Sequence, residues 1–107
     1  MIMAIAMTES RFNPTIEGKE QDRGILQITP IYVKELNRLG YDYTHGDAFS
    51  IEKSIEMFNA MQGEKNPNKN LDSAIMFHNR SKEYARKVKE NLEFIERYEK
   101  TRETLLK

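Results

Sequence analysis

Four polar residues that favour helix starts are distributed along the chain, and each precedes apolar residues spaced three or four apart. They are Thr29, Ser50, Asn70 and Ser81. Side chains of these types accept hydrogen bonds from the free amides of a helix's first turn, and Pro30 favours the first helical position. Apolar residues at that spacing lie on one face of an α-helix. The sequence therefore predicts a mainly α fold of five to six helices.

Glycines, prolines and these capping residues also predict where each helix begins and ends. Helices are expected over about 1–10, over 24–28, from 30 to Gly40, from 51 to Gly63, from 71 onward and from 82 to near the chain end. Residues 15–23 are polar and contain Gly18, which favours a loop or a short hairpin.

The apolar residues of these helices predict the hydrophobic core. In the helix after Thr29, the apolar stripe is expected to contain Ile31, Val33 and Leu36. In the last helix, the inward positions are expected to be Tyr84, Val88, Leu92, Ile95 and Tyr98. The methionines are expected to fill the core, namely Met1, Met3, Met7, Met57, Met61 and Met76.

Length and charge limit the classes of protein that this chain can represent. At 107 residues it is expected to form one domain, 1–107, with 82–107 as a long C-terminal helix. The 17 basic and 17 acidic side chains cancel, which argues against a nucleic-acid partner. No segment approaches the roughly 20 apolar residues of a membrane-spanning helix, so no membrane insertion is expected. We expect a monomer or a part of a larger protein.

The residue types that usually hold metals or act as nucleophiles are scarce. The chain has no cysteine, which excludes disulfides and thiolate chemistry. Its two histidines, His45 and His78, are far apart and belong to no paired ligand motif. No glycine-rich phosphate loop and no serine nucleophile motif is present. We therefore expect neither a metal site nor a cofactor.

Glu9 is the residue whose position points to chemistry. It lies near the end of an otherwise apolar helix and is followed by Phe12 and Pro14. Burial and the negative end of the helix dipole both disfavour its charge, so its pKa is expected to rise toward values suited to a general acid. The alternative from position alone is an exposed glutamate at a helix end.

Several sequence blocks around Glu9 occur in a recognisable order. They are Glu9-Ser-Arg-Phe-Asn-Pro14, Arg23-Gly-Ile-Leu-Gln-Ile-Thr-Pro30, Ser50-Ile-Glu-Lys-Ser-Ile55, Ala74-Ile-Met-Phe-His-Asn79 and Tyr84-Ala-Arg-Lys-Val88. In this order and spacing, from about Met3 to Leu92, the chain resembles the catalytic domain of soluble lytic transglycosylases. These enzymes are relatives of goose-type lysozyme and cleave peptidoglycan. The resemblance implies a lysozyme-like helical bundle.

The resemblance also implies roles for residues in the first two blocks. Glu9 would be the single catalytic acid and base, and Ser10 beside it would orient the site. Gly24 would let the backbone approach the sugar. Leu26 and Gln27 would line the saccharide groove.

Four further residues are candidates, and three of them have an open alternative. Asn79 matches a family asparagine that supports the wall opposite the glutamate. His78 replaces the family tyrosine, and it either hydrogen-bonds near Glu9 or fills a structural position. Tyr43 either stacks on a sugar face or packs its loop down. Asp22 either activates water, as a helper aspartate does in goose-type lysozymes, or is a solvated loop charge.

The function implied by the resemblance is cleavage of the β-1,4 bond between N-acetylmuramic acid and N-acetylglucosamine, leaving 1,6-anhydro ends and needing no cofactor. The partner is the peptidoglycan glycan strand. The expected location is the cell envelope, periplasmic or extracellular, or a phage particle, and no export signal is expected within the chain. Two alternatives stay open: a hydrolytic muramidase, and a non-catalytic peptidoglycan-binding or virion structural domain of the same fold.

Overall fold

The computed structural model describes residues 1–79 and 81–106, and within them the fold is mainly α. The elements in chain order are α1 Ile2–Ser10, α2 Pro30–Arg38, a short 3₁₀-helix His45–Phe49, α3 Ile51–Lys65, α4 Leu71–His78 and α5 Lys82–Leu105. The described residues contain isolated β-bridges but no extended strand. The predicted fold class is confirmed.

The predicted capping residues begin four of the five α-helices. The side chains of Thr29, Ser50, Asn70 and Ser81 each accept a hydrogen bond from the backbone amide three residues later, at 3.2, 3.2, 2.9 and 3.3 Å. Each cap satisfies an amide that has no partner within its own helix. Local sequence is therefore sufficient to define these helix starts.

The short helix expected over residues 24–28 is wrong, because these residues form a tight turn instead. Gly24 and Gln27 have left-handed backbone angles, with φ of 77° and 50°. On either side of the turn, Arg23 and Ile28 exchange two backbone hydrogen bonds of 3.0 and 2.9 Å. Left-handed residues interrupt an α-helix, so this pairing replaces it.

Residues 15–23 form a hairpin-like loop, as expected. Glu17 and Arg23 pair as an isolated antiparallel bridge, and the amide of Gly18 donates to the carbonyl of Asp22 at 2.8 Å. Arg23 pairs with Glu17 of this loop and with Ile28 beyond the 24–27 turn, so the loop and the turn form one continuous connection between α1 and α2.

The expected helix end at Gly63 is also wrong, since α3 continues to Lys65. A glycine inside a helix costs only about 1 kcal/mol relative to alanine. The burial of Met57, Phe58 and Met61 on the same helix exceeds that cost. Tertiary packing therefore carries α3 past its glycine.

The core lies where α1 packs against α5 and where α3 packs against the 3₁₀-helix, α2 and α4. Its largest fully buried side chains include Ile5, Leu26, Ile28, Leu36, Met57, Phe58, Ile75 and Val88.

Five residues that were predicted to lie in the core are exposed, so these predictions are wrong. Ile31 is 78% exposed because α2 turns only the Val33 and Leu36 side inward, and Tyr98 is 62% exposed because α5 extends beyond the core. Three methionines, Met1, Met3 and Met76, are exposed rather than buried.

Candidate active site

Glu9 lies near the C-terminal end of α1 and is partly buried. Burial is the main cause that raises the pKa of Glu9, and the negative charge of Asp22 raises it further. The hydroxyl of Tyr84 acts in the opposite direction, and the resulting pKa is about 7. A carboxyl group with this pKa is protonated in a substantial fraction of molecules at neutral pH, as a general acid requires.

Tyr84 lies in the first turn of α5 and is buried next to Glu9. Burial and the charge of Glu9 both raise the pKa of Tyr84. Its hydroxyl makes no hydrogen bond within 3.5 Å to any of the described residues, but it lies close enough to Glu9 to stabilise the ionised carboxylate. Sequence reasoning assigned Tyr84 only to the core. Its place in the fifth sequence block was the signal that pointed beyond packing.

Ser10 connects the end of α1 to the 24–27 turn. Its Oγ lies 2.8 Å from the carbonyl oxygen of Ile25 and 3.1 Å from that of Ala6, and the side chain is buried. The single hydroxyl proton is therefore used within the protein. The geometry suits Ser10 to fixing the backbone beside Glu9.

Gly24 is required by a close approach between two backbone segments. A Cβ atom at this position would overlap the carbonyl oxygen of Ala48, which also accepts a 2.7 Å hydrogen bond from the buried Ser54. The positive φ of Gly24 adds a second reason for glycine. The close approach is thus to the protein's own 3₁₀-helix.

The side-chain amide of Gln27 braces the same turn. Its Nε2 donates to the carbonyl oxygens of Gly24 at 2.9 Å and Ile16 at 3.3 Å. Both amide protons therefore have acceptors in the protein. The amide oxygen is the part of Gln27 suited to accept a hydrogen bond from a ligand.

Leu26 does not expose its side chain to a groove, which corrects the expectation that it lines one. The side chain is fully buried, and the residue's carbonyl oxygen lies 2.6 Å from Nε2 of His78. Burial lowers the pKa of His78, so the neutral ring donates its Nε2 proton to that carbonyl. Nδ1 of His78 is buried and has no partner among the described residues.

His78 therefore joins the end of α4 to the 24–27 turn. Its ring also packs edge-on against Tyr32 and Phe58, with centroids 5.9 and 5.7 Å apart, and lies 6.5 Å from the ring of Tyr84. These contacts match the structural alternative raised for His78. His78 thus belongs to an aromatic cluster with Tyr32, Phe58 and Tyr84.

Asn79 and Tyr43 lie in other surroundings. Asn79 is exposed, and its Oδ1 accepts a 3.0 Å hydrogen bond from the amide of Ser81, at the start of α5. Tyr43 stacks on Tyr41 with centroids 6.0 Å apart, and its backbone pairs with the side chain of Asn37. Neither residue is among the groups that influence Glu9.

Asp22 is partly buried in the loop before Gly24, and its negative charge raises the pKa of Glu9. The structure thus brings together Glu9, Asp22 and Tyr84, supported by Ser10 and the 24–27 turn. Four of the five described non-glycine residues with positive φ border this set, namely Arg11, Phe12, Gln21 and Gln27. Such backbone strain commonly clusters at functional sites.

Residues 1–79 and 81–106 contain no group of three or more acidic, histidine or cysteine side chains that could hold a metal ion. None of the helices described is both long enough and apolar enough to cross a membrane.

Comparison with known proteins gives one match. Residues 1–95 match the family model described as the transglycosylase SLT domain. A comparison with curated proteins and one with solved structures each find no significant match. The family acts on peptidoglycan, and its members generally cleave glycosidic bonds. Because the match covers most of the chain and the fold is a helical bundle, this chain belongs to the soluble lytic transglycosylase family of lysozyme-like domains.

Proposed function

We propose that this protein is a peptidoglycan lytic transglycosylase that uses Glu9 as its acid and then its base. The observation that carries the proposal is the environment of Glu9. This carboxyl group is partly buried, and its pKa is about 7. The chain belongs to a family whose substrates are glycans. It can therefore donate a proton and later accept one at neutral pH.

The proposed reaction consumes no water and leaves the enzyme unchanged. Glu9 protonates the glycosidic oxygen as the bond to C1 of N-acetylmuramic acid breaks, and the N-acetylglucosamine side leaves with that proton. The substrate's acetamido oxygen supports the electron-poor C1. The ionised Glu9 then accepts the proton of the C6 hydroxyl, which bonds to C1 and forms the 1,6-anhydro end. The attack is intramolecular and benefits from high effective molarity.

The surrounding residues support this cycle by holding Glu9 in place. Ser10 fixes the end of α1 on the carbonyl of Ile25, and Gln27 braces the adjoining turn while its amide oxygen accepts from the sugar. Tyr84 contributes a phenol that can bond to Glu9 in its ionised form. Sugar contacts by His78, Asn79 and Tyr43 remain predictions of the family resemblance.

A hydrolytic muramidase is the second candidate, and Asp22 favours it. Its carboxylate is near enough to raise the pKa of Glu9, so it could also deprotonate a water molecule at C1. A hydrolase would add one water to each cleaved bond, whereas the proposed transglycosylase adds none. The two reactions therefore differ in product mass.

The proposed substrate implies a place of action at the bacterial cell wall. The glycan strands of peptidoglycan lie outside the cytoplasmic membrane, so we infer a periplasmic or extracellular location, or delivery by a phage particle. No cofactor takes part in the proposed steps.

The test is a mass measurement of the products from purified peptidoglycan. Wild type is compared with Glu9→Gln and with Glu96→Gln, a matched change at an exposed position of α5. We expect anhydro products, lighter by one water than hydrated ends, from the wild type and Glu96→Gln. We expect at least a roughly 100-fold slower release from Glu9→Gln.

Three other results would each replace the proposal. Hydrated ends from the wild type would establish the muramidase. Full activity in Glu9→Gln would remove the proposed acid. If no product formed while the wild type still bound insoluble peptidoglycan, the protein would be a binding or virion structural domain.

A further inference from the structure

A cavity of about 610 Å³ lies between the end of α1 and the N-terminal half of α5. Its lining residues are Met7, Thr8, Arg11, Phe12, Lys87, Glu90 and Asn91. Thr8 and Asn91 join its two walls through a 2.8 Å hydrogen bond from Nδ2 of Asn91 to Oγ1 of Thr8. The α1–α5 contact, which is central to the fold, therefore fixes the shape of this cavity.

The charges around the cavity favour an anionic ligand. Arg11 on one wall and Lys87 on the other form no ion pair with any described residue. The acidic residue of the lining, Glu90, is paired with Arg86, which also pairs with Glu83. Two cations on opposite walls can bind a carboxylate between them.

The cavity also has an apolar side, which is formed by the partly exposed ring of Phe12. Phe12 is 46% exposed and has a φ of 66°, an uncommon conformation for a bulky residue. It follows Arg11, which is also left-handed with a φ of 52°. Strain of about 1–3 kcal/mol per residue is typically maintained at ligand-binding positions. The turn thus presents one cation and one aromatic ring side by side.

Two residues of the cavity lining flank the proposed catalytic acid in the sequence. Thr8 precedes Glu9 and Arg11 follows it by two residues, so their backbones lie within one helical turn, a rise of about 5.4 Å, of Glu9, although the lining itself does not include Glu9. A glycan cleaved at Glu9 carries its peptide stem on the muramic acid residue next to the broken bond. That stem is a short peptide with carboxylates and small apolar side chains.

We propose that this cavity binds the carboxylate-bearing peptide stem of the glycan, with Arg11 and Lys87 pairing with a carboxylate and Phe12 covering apolar side chains. This inference rests on the proposed function for the identity of the ligand. Because of this cavity, the protein binds stem-bearing glycan more tightly than glycan from which the peptides have been removed.

The experiment measures binding without cleavage, in the Glu9→Gln background. A soluble muropeptide and the same sugar lacking its peptide are each titrated by calorimetry into three variants, Arg11→Gln, Lys87→Gln and Lys89→Gln. Lys89 is the matched control, because it lies on the same helix but pairs with Asp72 of α4 at 2.7 Å. Thermal melting confirms that each variant is folded.

We expect Arg11→Gln and Lys87→Gln each to weaken muropeptide binding about tenfold, since each removes a charge-assisted hydrogen bond. Lys89→Gln leaves muropeptide binding unchanged, and all three variants bind the peptide-free sugar as their parent does. Equal loss for both ligands, no loss for either, or no muropeptide binding by the parent would overturn the inference. Catalysis is not needed for this readout, so it remains decisive even if the wild type fails to cleave peptidoglycan.

Discussion

At the scale of single residues, the chemistry depends on how the fold treats one carboxyl group. The sequence predicts a raised pKa for Glu9 because an apolar helix precedes it, and burial is indeed the largest cause. The second cause is Asp22, whose charge reaches Glu9 only after residues 15–23 have folded back. Tyr84, which lowers the pKa, comes from a helix far along the chain. Such long-range neighbours are not visible in local sequence.

Tyr84 and Asp22 are expected to affect the pKa of Glu9 in opposite directions. Tyr84→Phe removes a group that stabilises the ionised form, so the pKa rises. Asp22→Asn removes a repelling charge, so the pKa falls. The alkaline limb of the kcat/KM profile follows Glu9 and should move by about half a pH unit upward and downward, respectively. Tyr98→Phe, at an exposed position, is the control. Shifts in the same direction would contradict this electrostatic account.

Glu9 should also make the stability of the protein depend on pH. Its pKa is about 7 in the folded state against 4.5 ordinarily, so the folded state binds the proton more tightly. The contribution of this proton binding to the free energy of unfolding is complete below about pH 4.5 and is lost as the pH rises to about 7. Glu9→Gln should therefore be more stable than the wild type by about 3 kcal/mol at pH 8. The free energies of unfolding of the two proteins should differ much less at pH 4.

Urea unfolding of both proteins across this pH range measures the difference. Parallel stability curves for the wild type and Glu9→Gln would show that Glu9 has an ordinary pKa.

At the scale of elements, the four capped helix starts were predictable and the 24–27 turn between α1 and α2 was not. The caps at Thr29, Ser50, Asn70 and Ser81 depend on hydrogen bonds within four residues, and local sequence encodes them. The 24–27 turn depends instead on the Ala48 carbonyl, which requires glycine at position 24. A contact between segments distant in sequence therefore overrode the expected helix.

The two glycines Gly24 and Gly63 should respond to alanine in opposite ways. Gly24→Ala introduces a Cβ that overlaps the Ala48 carbonyl at a positive φ, and it should destabilise the fold by about 3 kcal/mol or more. Gly63→Ala adds a Cβ with no neighbour within 4 Å inside α3, and it should stabilise the protein by about 0.5–1 kcal/mol. Denaturant unfolding measures both. A mild effect at Gly24 would show that the turn can move away from the 3₁₀-helix.

At the scale of the whole molecule, the most prominent feature is the exposed C-terminal part of α5. The longest dimension is 46 Å, and the outer part of α5 carries the exposed residues Tyr98, Leu105 and Leu106. The family match ends at residue 95, close to where the buried contacts of α5 end. We propose that residues 1–107 form a single domain whose stability does not depend on this tail. Sequence periodicity predicted the helix, but it placed the last inward residue at Tyr98, about one turn beyond Ile95, where the packing ends.

Removing residues 99–107 tests that proposal. Residues 99–106, the described part of this segment, are all exposed, so the free energy of unfolding should change by less than about 1 kcal/mol. Native-state hydrogen exchange should show fast exchange beyond Tyr98 in the intact chain. Loss of folding on truncation would instead make the tail part of the core.

The most direct test of the whole account is the pKa of Glu9 itself. Carbon-13 labelling of glutamate, with Glu9→Gln to assign its resonance, allows its carboxyl signal to be followed by NMR from pH 3 to pH 9 in the free protein. The account predicts a midpoint near pH 7, because Glu9 is partly buried and faces Asp22. A midpoint near 4.5, the value of a solvated glutamate, would leave the proposed mechanism without its proton donor.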